Sequence, residues 1–121
     1  MDNFIRVYEN AFSNELCDRL INKFESTPDS NKERHDMGEM HFSQVNFRAC
    51  GWKEEQNELV NIFLSHTKKY TDDVGITTEF PQKYALEDIR LKKYMPDGHD
   101  QFGPHVDVVD KSTSTRFLVF F

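Results

Sequence analysis

One short segment of the chain carries two residue types that bind metal ions, His105 and Asp107, with a single valine between them. In extended backbone, side chains two residues apart point to the same side and lie roughly 6.5–7 Å apart. His105 and Asp107 can therefore approach one metal ion from adjacent corners of its coordination sphere. An imidazole nitrogen and a carboxylate oxygen belong to the two-histidine, one-carboxylate ligand set of non-haem iron sites, which leaves positions open for oxygen chemistry.

The same two residues have an alternative interpretation. A His-x-Asp triplet occurs by chance in many proteins, and His105 with Asp107 is then a solvated pair on a surface strand. His99 lies in an acidic loop and is either a ligand in a different metal scheme or a polar loop residue. The other histidines are interpreted as surface or helix-flank residues: His35, His41 and His66.

Length and composition restrict the class of protein. The 121 residues suffice for one domain and not for two, and eleven phenylalanines allow an apolar core. A net charge of -6 argues against general affinity for nucleic-acid phosphates. Cys17 and Cys50 form neither a CxxC pair nor a disulfide framework. The longest apolar run, residues 117–121, is too short to cross a bilayer, and the first residues do not resemble a signal peptide. We therefore expect a soluble cytoplasmic protein without membrane or nucleic-acid partners.

Helices are predicted in the first part of the chain. A short strand over residues 4–8 precedes Ser13, which is a credible N-cap for a helix that ends before Pro28. A second helix is predicted from residue 53 to about residue 71, with Gly75 just past its end. The apolar stripe of the first helix consists of Leu16, Leu20, Ile21 and Phe24, and that of the second includes Leu59, Ile62 and Phe63.

Strands are predicted in the last part of the chain. From residue 87 apolar and charged residues alternate, a Pro-Asp-Gly turn follows at 96–98, and Pro104 leads into an extended segment at 105–109. Residues 30–51 give no clear pattern, although a strand could include Phe42, Val45 and Phe47. Helices come first and the sheet follows without βαβ alternation, which favours an α+β or mainly β architecture.

The final residues, 114–121, become apolar on both faces, as in a strand that is buried on both sides. Domain termini usually lie at the surface, and a free apolar strand at a sheet edge promotes aggregation. This pattern leads us to expect a C-terminally truncated chain.

The segment from Asp88 to Phe121 resembles the iron-ligand region of the 2-oxoglutarate- and Fe(II)-dependent oxygenases, in particular the prolyl 4-hydroxylase-like branch. It shows a strand ending in Tyr94, a Pro/Gly turn, an aromatic residue, the His-x-Asp triplet and an apolar strand led by Arg116. The resemblance implies one domain over residues 1–121, with a helical support region at 1–86 and the first core strands at 87–121. The implied fold is the N-terminal part of a double-stranded β-helix, or jelly-roll, which these residues leave incomplete.

The resemblance also implies an activity. His105 and Asp107 would bind Fe(II), Tyr94 would hydrogen-bond the 2-oxoglutarate carboxylate, and Arg116 would lie near the substrate. The implied reaction uses O2 and 2-oxoglutarate to hydroxylate a protein side chain, with peptidyl proline as the favoured substrate and ascorbate as a candidate cofactor. The family's distal histidine, which is its third iron ligand, and the basic residue that pairs with 2-oxoglutarate are not in this sequence.

Two other functions remain open. A non-catalytic β-sandwich module that binds another protein requires no metal, and the missing third ligand agrees with it. A zinc hydrolase would use His105, Asp107 and a third residue such as His99, together with a water molecule. The hydrolase predicts another histidine within about 4 Å of both the His105 and the Asp107 side chains. The sequence does not indicate an oligomeric state.

Overall fold

The computed structural model of the chain describes residues 2–121. Its helices are α1 (Asn14–Ser26) and α2 (Lys53–Val74), and short 3-10 helices lie at Asp2–Phe4, Asp29–Asn31 and Lys111–Thr113. Its strands are β1 (Glu33–Met37), β2 (Met40–Asn46), β3 (Arg90–Lys93) and β4 (Gln101–Phe102). They form a sheet of order β1-β2-β3, with β4 paired antiparallel to β2. The fold class is therefore α+β, as the sequence predicts.

The chain forms two compact units, each made of segments that contact one another in space. The first unit comprises Met1–Glu33 and Gln44–Leu91 and contains both α-helices. The second unit comprises Arg34–Ser43 and Lys92–Phe121 and contains the β1–β2 turn, β4 and the segment with His105 and Asp107.

Helix α1 begins where the sequence predicts. The Ser13 side chain accepts a hydrogen bond from the Leu16 backbone N–H at 3.1 Å, which satisfies one of the free donors at the helix start. Leu16, Leu20 and Phe24 are buried. Ile21, which was expected in the same stripe, is 56% exposed, because it lies about 100° around the helix from Leu20.

The core of the first unit forms where α1, α2 and the end of β2 meet. Its buried members are Leu16, Leu20, Phe24, Val45, Phe47, Trp52 and Leu59. The strand expected to include Phe42, Val45 and Phe47 is found as β2, which contains Phe42 and Val45 and ends one residue before Phe47. Helix α2 extends one turn beyond its predicted end, and Gly75 follows it with a φ of 74°, in the left-handed region that glycine adopts readily. In the described part of the chain, neither α-helix has an apolar stretch long enough for a bilayer crossing.

Several strand predictions were wrong. Residues 4–8, 105–109 and 116–121 have no strand, and no strand follows Phe102 among the described residues. A strand forms only when a neighbouring strand completes its backbone hydrogen bonds. An alternating or apolar sequence pattern does not show whether such a partner exists. Conversely, the region 1–86, which was expected to be helical, also contains β1 and β2.

Candidate metal sites

The second unit is organised by the β1–β2 hairpin, which turns at Gly38 and Glu39. Gly38 has a φ of 59°, which a residue without Cβ tolerates at little cost. Strand β4 pairs with the start of β2, so that His41 lies opposite Gln101. The Gly103 N–H then donates to the Glu39 carbonyl at 3.0 Å. This pairing fixes the segments on both sides of β4 beside the hairpin.

Aromatic rings fill the second unit around Phe42, which is 1% exposed. The rings in contact with it are those of His35, Tyr94 and Phe102, with centroids at 4.9, 5.4 and 5.4 Å. Phe102 also stacks on the His105 imidazole at 3.9 Å. The Lys92 ammonium lies 4.7 Å from the centroids of both Phe42 and Phe102, within the range of a cation–π contact.

Tyr94, the residue expected to contact 2-oxoglutarate, lies on the same side of the chain as Lys92, since both contact Phe42. Leu91 points to the opposite face and packs against the core of the first unit. Alternation that continues from β3 into Tyr94 therefore places Tyr94 on the side of Lys92, opposite Leu91. Burial raises the pKa of the Tyr94 hydroxyl, although the residue remains 42% exposed.

The His105 and Asp107 side chains lie close together, although the segment that carries them is not a regular strand. His105 Nε2 lies 3.5 Å from Asp107 Oδ1. For comparison, two donor atoms that each lie about 2.1 Å from one ion are roughly 3.0–3.4 Å apart when the donor–ion–donor angle is about 90–110°. His105 Nδ1 lies 2.9 Å from the Gly103 carbonyl. Because a carbonyl only accepts, Nδ1 carries the proton of the neutral ring and Nε2 keeps its lone pair for a ligand.

Arg116, expected near the substrate, contacts the backbone of this pair. Its Nη1 donates to the Asp107 carbonyl at 2.6 Å. The chain returns to this position through the 3-10 helix Lys111–Thr113, where the Asp110 side chain accepts from the Thr113 N–H at 3.0 Å. The Arg116 guanidinium therefore fixes the backbone that presents the Asp107 carboxylate.

A second group of ligand-type side chains was missed in the sequence: Asp36 on β1, His41 on β2 and His99 in the loop before β4. Their potential ligand atoms all lie within 4.8 Å of one another. Asp36 Oδ1 is 3.1 Å from His41 Nδ1 and 3.7 Å from His99 Nε2. No other group of three such residues meets this criterion among residues 2–121, so the third ligand that a zinc hydrolase requires beside His105 and Asp107 is absent there.

Arg34 holds the carboxylate of this second group. Its Nε and Nη2 donate to the two oxygens of Asp36 at 2.9 and 2.8 Å. Its Nη2 and Nη1 donate to Asp100 at 2.7 and 3.1 Å, and the Asp100 side chain is only 2% exposed. The Arg34 guanidinium holds the pKa of Asp36 well below its usual range and lowers that of Asp100 to about 2. Both carboxylates are therefore ionised near neutral pH.

His41 contacts an acceptor through each ring nitrogen. Nε2 lies 2.8 Å from the Gly38 carbonyl and Nδ1 lies 3.1 Å from Asp36 Oδ1. With no ion between them, both contacts are hydrogen bonds only if the ring carries two protons. The hydrogen bond to the Asp36 carboxylate accordingly raises the pKa of His41 above its ordinary value of 6.5.

The His41–Asp36 pair predicts a pH dependence that can be measured. Because the folded-state pKa of His41 is raised, its contribution to stability is present below the unfolded pKa and is lost as pH rises through the folded pKa. The charged or titratable groups facing the ring are Asp36, Arg34 and His99. We expect an NMR titration of the His41 ring to have a midpoint above 6.5 in metal-free protein, and Asp36→Asn to return it toward 6.5. Glu39→Gln in the same turn is the control and should leave the midpoint unchanged. A midpoint at or below 6.5 in the unaltered chain contradicts the pairing.

Comparisons with protein-family models, curated proteins and solved structures gave no match. A functional interpretation therefore depends on the two groups of side chains in the second unit. The His105–Asp107 pair offers two ligands that are two residues apart in one segment, and the Asp36–His41–His99 group offers three ligands from separate segments.

Proposed function

We propose that this chain belongs to a 2-oxoglutarate- and Fe(II)-dependent dioxygenase that hydroxylates a protein side chain, with peptidyl proline as the favoured substrate. The observation that carries the proposal is the 3.5 Å separation of His105 Nε2 and Asp107 Oδ1. The Gly103 carbonyl accepts a hydrogen bond from Nδ1, the other ring nitrogen, so the neutral imidazole is in the tautomer that leaves Nε2 for a metal. Imidazole and carboxylate at adjacent corners match the ligand set of non-haem iron oxygenases.

The residues around the pair have supporting roles in this proposal. Bound Fe(II), with 2-oxoglutarate and O2, would supply the oxidation that hydroxylates a C–H bond. The Phe102 ring lies against the His105 imidazole at 3.9 Å and restricts its rotation. Arg116 holds the Asp107 carbonyl at 2.6 Å, which favours a positioning role over direct contact with substrate. Such contacts behind the ligands commonly affect metal affinity about 10–100-fold.

Tyr94 is the proposed donor to the 2-oxoglutarate carboxylate. It connects to His105 through two intervening rings, with successive centroid distances of 5.4 Å to Phe42, 5.4 Å to Phe102 and 3.9 Å to His105. Because Tyr94 is 42% exposed, a small acid can reach this residue from solvent. Its raised pKa keeps the hydroxyl protonated, as a hydrogen-bond donor must be.

The finer description of the fold, as the first strands of a jelly-roll, belongs to the same proposal. The family's third iron ligand and its basic 2-oxoglutarate contact are not in these 121 residues. The activity is therefore proposed for a protein that supplies both, with ascorbate as a candidate cofactor. Cys17 and Cys50 are free thiols, which supports a reducing cytoplasmic environment.

The ligand assignment can be tested on the 121-residue chain with Mn(II), a redox-stable probe that prefers the same oxygen and nitrogen donors. In NMR spectra of labelled protein, paramagnetic broadening is expected at residues 103–107. His105→Ala and Asp107→Asn should each remove that broadening when they are combined with His99→Ala, which takes away a ligand of the neighbouring Asp36–His41–His99 group. His99→Ala is the matched control, because it deletes an exposed imidazole elsewhere in the same unit, and it should leave the broadening at 103–107 intact. Broadening that survives both ligand substitutions would overturn the assignment.

Activity is tested on a protein that includes the third ligand. Anaerobic addition of Fe(II) and 2-oxoglutarate should produce a weak visible charge-transfer band, and admission of air should release succinate. His105→Ala should abolish both signals. Absence of the band in the unaltered protein, together with absence of succinate, would exclude this function.

A non-catalytic protein-binding module is the second candidate, and exposed apolar side chains in the second unit favour it. Val106 and Val109 are 69% and 70% exposed, and Phe117 is 54% exposed. This function predicts that His105→Ala and Asp107→Ala leave both partner binding and the melting temperature unchanged. A rise in melting temperature with Fe(II) or Mn(II) that these substitutions abolish excludes a metal-independent module.

A further inference from the structure

The potential ligand atoms of Asp36, His41 and His99 all lie within 4.8 Å of one another, and Asp36 Oδ1 lies close to a nitrogen of each imidazole. In a tetrahedral zinc site with bonds of about 2.0–2.2 Å, neighbouring donor atoms lie roughly 3.3–3.5 Å apart. Asp36 Oδ1 lies 3.1 Å from His41 Nδ1 and 3.7 Å from His99 Nε2, so the observed separations lie on either side of that value. The geometry points to a second metal site here, which takes a divalent transition-metal ion and which Zn(II) fits best.

Hydrogen bonds position all three residues, as contacts around the ligands do in established metal sites. His41 Nε2 is engaged by the Gly38 carbonyl at 2.8 Å, so Nδ1 is the ring atom that faces the other ligands. Asp36 is fixed by the two hydrogen bonds from Arg34. The backbone N–H of His99 donates to Asp97 Oδ1 at 2.9 Å, which fixes the loop that carries the ring. These hydrogen bonds hold the three residues close together before an ion binds.

The charges around the site are compatible with a cation. Arg34 lies beside it, but Arg34 pairs with both Asp36 and Asp100, so one net negative charge remains when the imidazoles are neutral. Binding replaces the proton that His41 Nδ1 shares with Asp36 in the metal-free protein, and this proton passes to solvent.

The ligand types and exposures indicate which ion binds. Two imidazoles suit zinc and neighbouring transition metals, whereas Ca(II) and Mg(II) prefer oxygen ligands throughout. The side chains of His41, Asp36 and His99 are 17%, 51% and 61% exposed, so the ion can enter from solvent and retain a water molecule as its fourth ligand. Such an ion would link the hairpin to the loop before β4 and stabilise the second unit.

The proposal is tested by titrating the full 121-residue chain with CoCl2 and then with ZnCl2. We expect one Co(II) per chain with the visible absorption of a tetrahedral ion, and displacement of that ion by Zn(II). His99→Ala should lower the zinc affinity by about 100-fold and remove the Co(II) absorption, since even residues behind the ligands affect affinity about 10–100-fold. Asp36→Asn, which keeps the size of the side chain, should act in the same direction. Backbone NMR spectra of both variants establish that the fold is retained.

His105→Ala is the matched control and should leave the Co(II) absorption and the zinc affinity unchanged. Zinc affinity that survives both His99→Ala and Asp36→Asn, or that is lost with His105→Ala instead, overturns the second site. This outcome is separate from a failure of the proposed oxygenase function, because that function is read from Mn(II) broadening at residues 103–107 in the His99→Ala protein, which lacks one ligand of the second site.

Discussion

Replacing Phe42 with alanine is expected to destabilise the second unit by about 3–5 kcal/mol, the usual cost of removing a buried phenylalanine side chain. Phe42 is 1% exposed, and the rings of Tyr94 and Phe102 lie against it with centroids 5.4 Å away. Without the Phe42 ring these neighbours enclose a cavity, and Lys92 loses one of its two cation–π contacts. Urea denaturation, combined with amide hydrogen exchange in residues 34–43 and 92–102, measures the loss.

The same substitution also tests the support of His105. Phe102 stacks on both Phe42 and the His105 imidazole, so Phe42→Ala should weaken the Mn(II) effect at residues 103–107. Phe42→Leu is the control, because it retains much of the apolar volume and should cost less than about 1.5 kcal/mol. If Phe42→Ala changes the free energy of unfolding no more than Phe42→Leu does, the aromatic cluster is not what holds the second unit together.

Phe47→Ala is expected to have an effect of similar size on the first unit. The Phe47 side chain is 1% exposed, and its ring lies 5.0 Å from that of Trp52. Its backbone is also engaged, with the N–H donating to the Ile89 carbonyl at 3.0 Å and the carbonyl accepting from the Trp52 N–H at 2.9 Å. We expect a loss of about 3–5 kcal/mol and a melting temperature lowered by more than about 10 °C. Trp52 is the single tryptophan, so its fluorescence reports this unfolding directly.

An exposed phenylalanine provides the matched control for this second substitution. The Phe4 side chain is 59% exposed, and Phe4→Ala should change the free energy of unfolding by about 0.5 kcal/mol or less. Phe47→Leu provides an intermediate variant that remains folded if Phe47→Ala does not. Equal effects for Phe47→Ala and Phe4→Ala would contradict the placement of Phe47 in the core.

The helices could be predicted from the sequence because their signals are local. A capping serine at position 13, apolar residues four apart and a glycine at position 75 lie within a few turns of the structure that they determine. Strand β1 had no such signal. Its five residues, Glu-Arg-His-Asp-Met, show no apolar alternation, and only the pairing with β2 makes them a strand.

The two candidate metal sites also differ in whether local sequence or long-range contacts bring their residues together. The sequence predicted that His105 and Asp107 share a side, because residues two apart in extended backbone do so, but the segment forms no strand and its 3.5 Å contact is seen only in the structure. Tertiary structure then added the Gly103 and Phe102 contacts that orient the imidazole. The Asp36–His41–His99 group was decided entirely by tertiary structure. His41 and His99 are far apart in the chain, and they meet only because β4 pairs with β2 in one register, beside a hairpin packed around buried Phe42. No spacing in the sequence encodes a contact that depends on long-range strand register and on the burial of an aromatic ring.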